Sequence, residues 1–115
     1  MNIIEKYRFG KIKVSGKTYL SDLIIFPNEI KKKWWRKEGH SLCMEDLVEL
    51  EGKDTEILVV GTGSNNMMNV PTEVIQELSK KEITVFVKKT PDAVNEYNKL
   101  VKENKKVAAA LHLTC

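Results

Sequence analysis

The chain has 115 residues, 42% of them hydrophobic and 30% charged, with a net charge of +3. It is expected to be one domain spanning 1–115, since disorder is excluded and so is the strongly basic balance of a dedicated nucleic-acid binder. Two cysteines are too few for a disulfide scaffold, the opening MNIIEKYRFG has no signal-peptide pattern, and no apolar run nears the ~20 residues of a membrane span. The expected setting is the reducing cytoplasm, away from membranes.

Residues 8–36 read as strands. Ile12 and Val14 alternate with Lys11 and Lys13, a half-buried pattern. Ser15-Gly16 makes a short turn. Asp22 to Phe26 forms a strand core that Pro27-Asn28 breaks, and extended structure resumes over Glu29 to Arg36. After a polar connection containing Gly39, the spacing of Met44, Leu47 and Val48 predicts a short helix closed by Gly52.

From residue 56 the pattern changes. Ile57 to Val60 is a continuous apolar run, as in strands covered on both faces. Gly61-Thr62-Gly63 ends it. A helix is predicted over Pro71 to Lys81 with Val74, Ile75 and Leu78 inward, then a strand over Ile83 to Val87. Thr90-Pro91 opens another helix, with Thr90 as the cap and Pro91 at the first helical position. Ala93, Tyr97, Leu100 and Val101 keep one face of it, and Val107 to Cys115 returns as the last strand. Strand, helix, strand, helix, strand implies a sheet covered by helices. The fold class is therefore α/β with three layers: a mixed central sheet flanked by helices, and an N-terminal antiparallel β layer.

Four groups of residues are candidates for chemistry. Gly61, Thr62, Gly63 and Ser64 leave the carboxyl end of a buried strand, where ligands bind in α/β sheets and free backbone amides can hold an anion. The stretch is neither a dinucleotide fingerprint nor a P-loop. Its glycines also suit a tight strand exit. His40 and His112 could meet at the same rim, and imidazole titrates near neutral pH.

His40-x-x-Cys43 and His112-x-x-Cys115 together have the composition of a zinc site. Residues i and i+3 of a strand point to opposite faces, so no metal is expected unless the chain end curls. Lys31 to Lys37 mixes base with Trp34 and Trp35, but strand geometry leaves one tryptophan on each face, so nucleic acid is not an expected partner. Asp22 is a carboxylate with no visible partner. No catalytic motif is found, and no cofactor is expected.

Phe9-Gly10, Gly16, Tyr19, Asp22, Gly39-His40-Ser41, Gly61-Thr62-Gly63, Val70-Pro71, Tyr97-Asn98-x-Leu100 and His112-Leu113-Thr114-Cys115 stand in a characteristic order. Together they resemble the adipogenesis-associated small-domain family, catalogued as a domain of unknown function. One distant branch is a mitochondrial assembly factor for respiratory complex I. The resemblance implies the three-layer fold with a mixed sheet and no established enzymatic activity. No mitochondrial presequence is expected, so the role of that branch is not expected to carry over directly. The expected function is a non-enzymatic binding or adaptor domain with a protein partner. The alternative is a small-molecule or anion site built from Gly61, Thr62, Gly63, Ser64, His40 and His112.

Overall fold

The computed structural model describes residues 1–115. Strands β1 (Ile4–Arg8), β2 (Lys11–Val14) and β3 (Lys17–Tyr19) form a three-stranded antiparallel sheet. Ile12 and Val14 are buried while Lys11 and Lys13 face solvent, as the alternation predicts. Ser15 and Gly16 both have positive φ, 47° and 83°. That is the two-residue hairpin turn whose twist matches the strands. β1 starts earlier than the pattern implied, because most of its residues are exposed and carry no alternation.

The second sheet has five strands in the order β5-β4-β8-β6-β7. These are β4 (Leu23–Ile25), β5 (Ile30–Lys32), β6 (Ile57–Thr62), β7 (Thr84–Lys88) and β8 (Val107–His112). β8 is parallel to β6 and antiparallel to β4, and β6 is parallel to β7, so the sheet is mixed as expected. Helices α1 (Thr72–Lys80) and α2 (Thr90–Lys102) make the two crossovers. The first steps from β6 outward to β7, and the second steps back past β6 to β8. Crossovers of one hand that travel in opposite directions put their helices on opposite faces.

Two cores result, and the strands alternate between them. Leu23, Ile25, Val59, Ala109 and Leu111 meet α2 and the three-stranded sheet through Tyr97, Val101, Ile12 and Val14. Ile24, Leu58, Val60, Ala108 and Ala110 meet α1 and the 33–50 connection through Val74, Leu78, Trp34, Leu42 and Leu47. Each of these strands is covered on both sides, which is why the run Ile57 to Val60 shows no polar alternation.

Four local expectations change. The extended segment ends at Lys32, because Lys33 takes φ 55° and turns the chain. Trp34 is 2% exposed and Trp35 75%, so the tryptophans do part ways, but across a turn rather than along a strand. Met44–Leu50 is a pair of 3₁₀ turns broken at Leu47, whose φ −113° and ψ 20° are not helical, rather than one continuous short helix. Its threefold repeat sends Leu47 and Leu50 inward and leaves Val48 exposed. Ile75 and the end of β7, Phe86 and Val87, are partly exposed, because β7 is the edge strand and lacks a neighbour to complete its cover. No helix is long and apolar enough to cross a membrane.

Candidate functional site

The parallel strands β6 and β8 end side by side, with Thr62 opposite His112. The glycine loop, His40, His112, Cys115 and Asp22 all lie at this end. The glycine loop, however, is closed. Gly61 and Gly63 are buried, and a Cβ on Gly61 would come within 2.8 Å of Leu111 and 3.0 Å of Thr90 Oγ1. Gly63, at φ +105°, lies against the Cys115 main chain.

Most of the loop amides have protein acceptors. Gly63 N–H donates to Thr90 Oγ1 at 2.8 Å, Ser64 N–H to the Thr114 carbonyl at 2.7 Å, and Met67 N–H to the Cys115 carbonyl at 3.0 Å. The backbone expected to line an open crevice is thus packed under the chain segment that follows β8. Thr90 takes a different part from the helix cap foreseen for it. Its hydroxyl donates to the His112 carbonyl at 2.6 Å while accepting from Gly63, so it ties the ends of β6 and β8 to α2.

Asp22 is not without a partner. Its Oδ2 lies 2.7 Å from His112 Nδ1 and 2.8 Å from Arg36 Nη2, and its Oδ1 accepts from the Leu113 amide at 2.8 Å. Burial alone would raise the Asp22 pKa. The hydrogen bonds from His112, Leu113 and Arg36 outweigh it and hold the carboxyl below its ordinary value. An ionised oxygen 2.7 Å from Nδ1 assigns the ring hydrogen to that nitrogen and leaves Nε2 as the acceptor, although Arg36 Nη2 also lies 3.0 Å from Nδ1. The Arg36 guanidinium is almost fully buried, with its carbon 4.7 Å from the Trp34 ring centroid. Its Nε and Nη1 have no hydrogen-bond partner, and the indole face beneath offers cation–π attraction instead.

His40 reaches this rim from the other side of the sheet end. Its carbonyl accepts from Asn69 N–H at 2.7 Å, while Leu42 N–H donates to the Asn69 carbonyl, so the backbone is clamped and the ring stays exposed. The His40 and His112 rings stand edge to face with centroids 5.7 Å apart.

Beyond His112 the chain leaves the strand. Tyr7 Oη and Gly10 N–H both hold the Leu113 carbonyl, at 2.7 and 2.8 Å, and the segment folds over Gly63. Cys115 Sγ thereby comes 3.7 Å from His40 Nε2. The premise that residues 112 and 115 share a straight strand fails, and with it the geometric exclusion of a shared metal. One donor atom from each of His40, His112 and Cys115 lies within 4.8 Å of the others.

Cys43 stays outside. Its Sγ faces Asp46 Oδ2 at 3.3 Å, and partial burial followed by that carboxylate pushes the thiol pKa up. Sequence reasoning missed the partnership of Asp22 with Arg36 and His112 and the part played by Thr90. These residues sit far apart in the chain, and no local pattern joins them.

A mixed five-stranded sheet with helices on both faces and a three-stranded antiparallel layer makes this a small α/β protein. The chain belongs to the protein family of unknown function DUF498/DUF598, whose profile matches residues 4–112. It is 32% identical over 112 residues to NADH dehydrogenase [ubiquinone] 1 alpha subcomplex assembly factor 3 of Danio rerio, and 29% over 111 residues to the human protein of that name. These matches take in 95% and 94% of this chain but only 63% and 59% of the relatives, so the chain spans less than two thirds of their length.

Among solved structures it is similar to a conserved hypothetical protein of Pyrococcus horikoshii, with a TM-score of 0.79 and 30% identity over 97% of this chain and 98% of that one. A protein described as an outer membrane protein of Bartonella henselae has a TM-score of 0.83 and 27% identity, over 97% and 94% of the two chains.

Proposed function

We propose that this chain is a non-enzymatic adaptor domain of the adipogenesis-associated small-domain type, acting in the cytoplasm as one unit that binds a protein during assembly of a larger complex. The observation that carries the reading is the match across 95% of the chain to a protein named as an assembly factor. A surface suited to such a partner lies along β7. Met67, Ile75 and Val87 are 55%, 36% and 42% exposed and line one shallow depression. The outer edge of β7 beside it has no neighbouring strand, so its backbone groups are available to an added one.

Affinity capture compares the wild-type chain with the double variant Ile75→Glu/Val87→Lys. A second control, Lys6→Glu/Lys13→Glu, alters the hairpin sheet on the far side. The expected result is a partner retained by the wild type and the hairpin control and lost by the β7 variant. Identical captured proteins from all three would sink the reading.

A second reading places a small ligand or anion at Gly61, Thr62, Gly63, Ser64, His40 and His112. The facing imidazoles of His40 and His112 favour it. The loop contributes walls more than donors, since the Gly63 and Ser64 amides are engaged within the protein. Loss of ligand binding in His40→Ala, with β7-dependent capture intact, separates the two readings.

A further inference from the structure

We propose that His40, His112 and Cys115 form a three-ligand site for a divalent transition-metal ion of the zinc class, with a fourth position open to water or to a partner's side chain. The donor set is two imidazoles and one thiolate, which suits borderline-soft ions and excludes magnesium and calcium, whose ligands are oxygens. The inference uses the two histidines of the second reading and is independent of the adaptor role.

Geometry carries the proposal. Bonds of about 2.3 Å to sulfur and about 2.0–2.1 Å to nitrogen, set at a tetrahedral angle, put sulfur and nitrogen about 3.6 Å apart. Cys115 Sγ and His40 Nε2 stand 3.7 Å apart. The full set of three donors spans 4.8 Å. The exposed His40 ring, held only through its backbone, can turn to close the remainder. His112 is buried, and its ring stands edge to face with that of His40. Its Nδ1–H is held by Asp22 at 2.7 Å, which leaves Nε2 as the donor.

A carboxylate on the far nitrogen of a metal-binding histidine is the usual outer support of such sites, fixing the tautomer and raising the basicity of the ligating nitrogen. Arg36, at 2.8 Å from the same carboxylate, holds Asp22 in place. Asp22 is therefore a positioning residue. The segment after β8 supplies the last ligand because three contacts bend it back: Tyr7 Oη to the Leu113 carbonyl, Ser64 N–H to Thr114 and Met67 N–H to Cys115.

The test is cobalt(II) titration of the full chain after removal of metal with a chelator, followed by competition with zinc. One equivalent should bind, with a thiolate-to-cobalt charge-transfer band in the near ultraviolet and the intense visible bands of a four-coordinate ion, and zinc should displace it. Cys115→Ser should abolish the charge-transfer band, and His40→Ala should weaken binding at least tenfold. Cys43→Ser should bind as wild type. Asp22→Asn should weaken binding by about 10- to 100-fold if it folds. His40 is exposed and Cys115 half-buried, so those two variants keep the test decisive whatever Asp22→Asn does. A cobalt spectrum without the thiolate band, or equal affinity in wild type, His40→Ala and Cys115→Ser, overturns the proposal.

Discussion

The ends of β6 and β8 lie side by side yet do opposite things with their polar groups. After β6, the glycine loop has the look of a ligand cradle, but its amides bind Thr90, Thr114 and Cys115 of the same chain. After β8, the backbone is similarly tied down, while the side chains of His112 and Cys115 keep donor atoms directed at His40. Glycine-rich turns show where two pieces of backbone must approach closely. Whether a ligand or another part of the protein makes that approach is decided by what packs there. The loop is thus the structural half of this end, and the tail, which carries the proposed metal ligands, is its chemical half.

The largest effect is expected where the loop is altered. Gly63→Val forces a β-branched residue to φ +105° and drives its side chain into the Cys115 main chain. Strain of about 1–3 kcal/mol and overpacking of about 1–3 kcal/mol add, and urea denaturation should show a loss near 4 kcal/mol or no folded protein. A loss below about 1 kcal/mol would mean the loop is open and the contrast with the tail is false.

Asp22→Ala comes next. It removes the partner of the buried Arg36 and of both His112 and the Leu113 amide. Breaking a buried pair costs about 3–5 kcal/mol, and the lower end is expected because the Asp22 side chain is 15% exposed. Thr90→Val leaves the Gly63 amide buried without an acceptor and the His112 carbonyl without its hydroxyl donor. About 2 kcal/mol should be lost in the same denaturation assay.

Tyr7→Phe tests the anchor of the tail at about 1 kcal/mol near neutral pH, and it has a pH signature. Burial raises the folded Tyr7 pKa above its ordinary value of 10.0. The unfolded chain therefore ionises first as pH climbs. The tyrosine's contribution is complete below pH 10, about its unfolded pKa, and is lost as pH rises through the higher folded value. Wild-type stability should fall over that alkaline range more steeply than that of Tyr7→Phe, and equal slopes would remove Tyr7 from the account. The smallest effect is His40→Ala, within about 0.5 kcal/mol, because its ring is exposed. A residue that matters for ligands and little for stability is what the chemical half requires.

Much of the fold was legible locally. The Ser15-Gly16 turn, the uninterrupted Ile57 to Val60 run and the α2 face of Ala93, Tyr97, Leu100 and Val101 each carry a pattern within a few residues. The weaker expectations failed where periodicity is ambiguous. Met44, Leu47 and Val48 fit an α-helical face, and only the 3₁₀ winding selects Leu50 over Val48 for the core. The candidate site was legible as a set of residue types and not as an arrangement. His40, His112 and the two glycines do gather at one end of the sheet, while Cys43 does not join them.

The amino-acid order by itself determined the alternation of strands and helices and most of the inward-facing residues, because burial imposes periods of two and 3.6 along the chain. It also placed glycines at 61 and 63 after one buried strand and an imidazole and a thiol at 112 and 115 in another segment. The tertiary structure alone decided that Asp22 meets His112 and Arg36 across separations of 90 and 14 positions, and that Cys115 turns back to His40. Contacts between distant positions leave no periodic trace in the sequence. They arise when β8 slots between β4 and β6, aligning the end of β8 with Asp22 on one side and the glycine loop on the other.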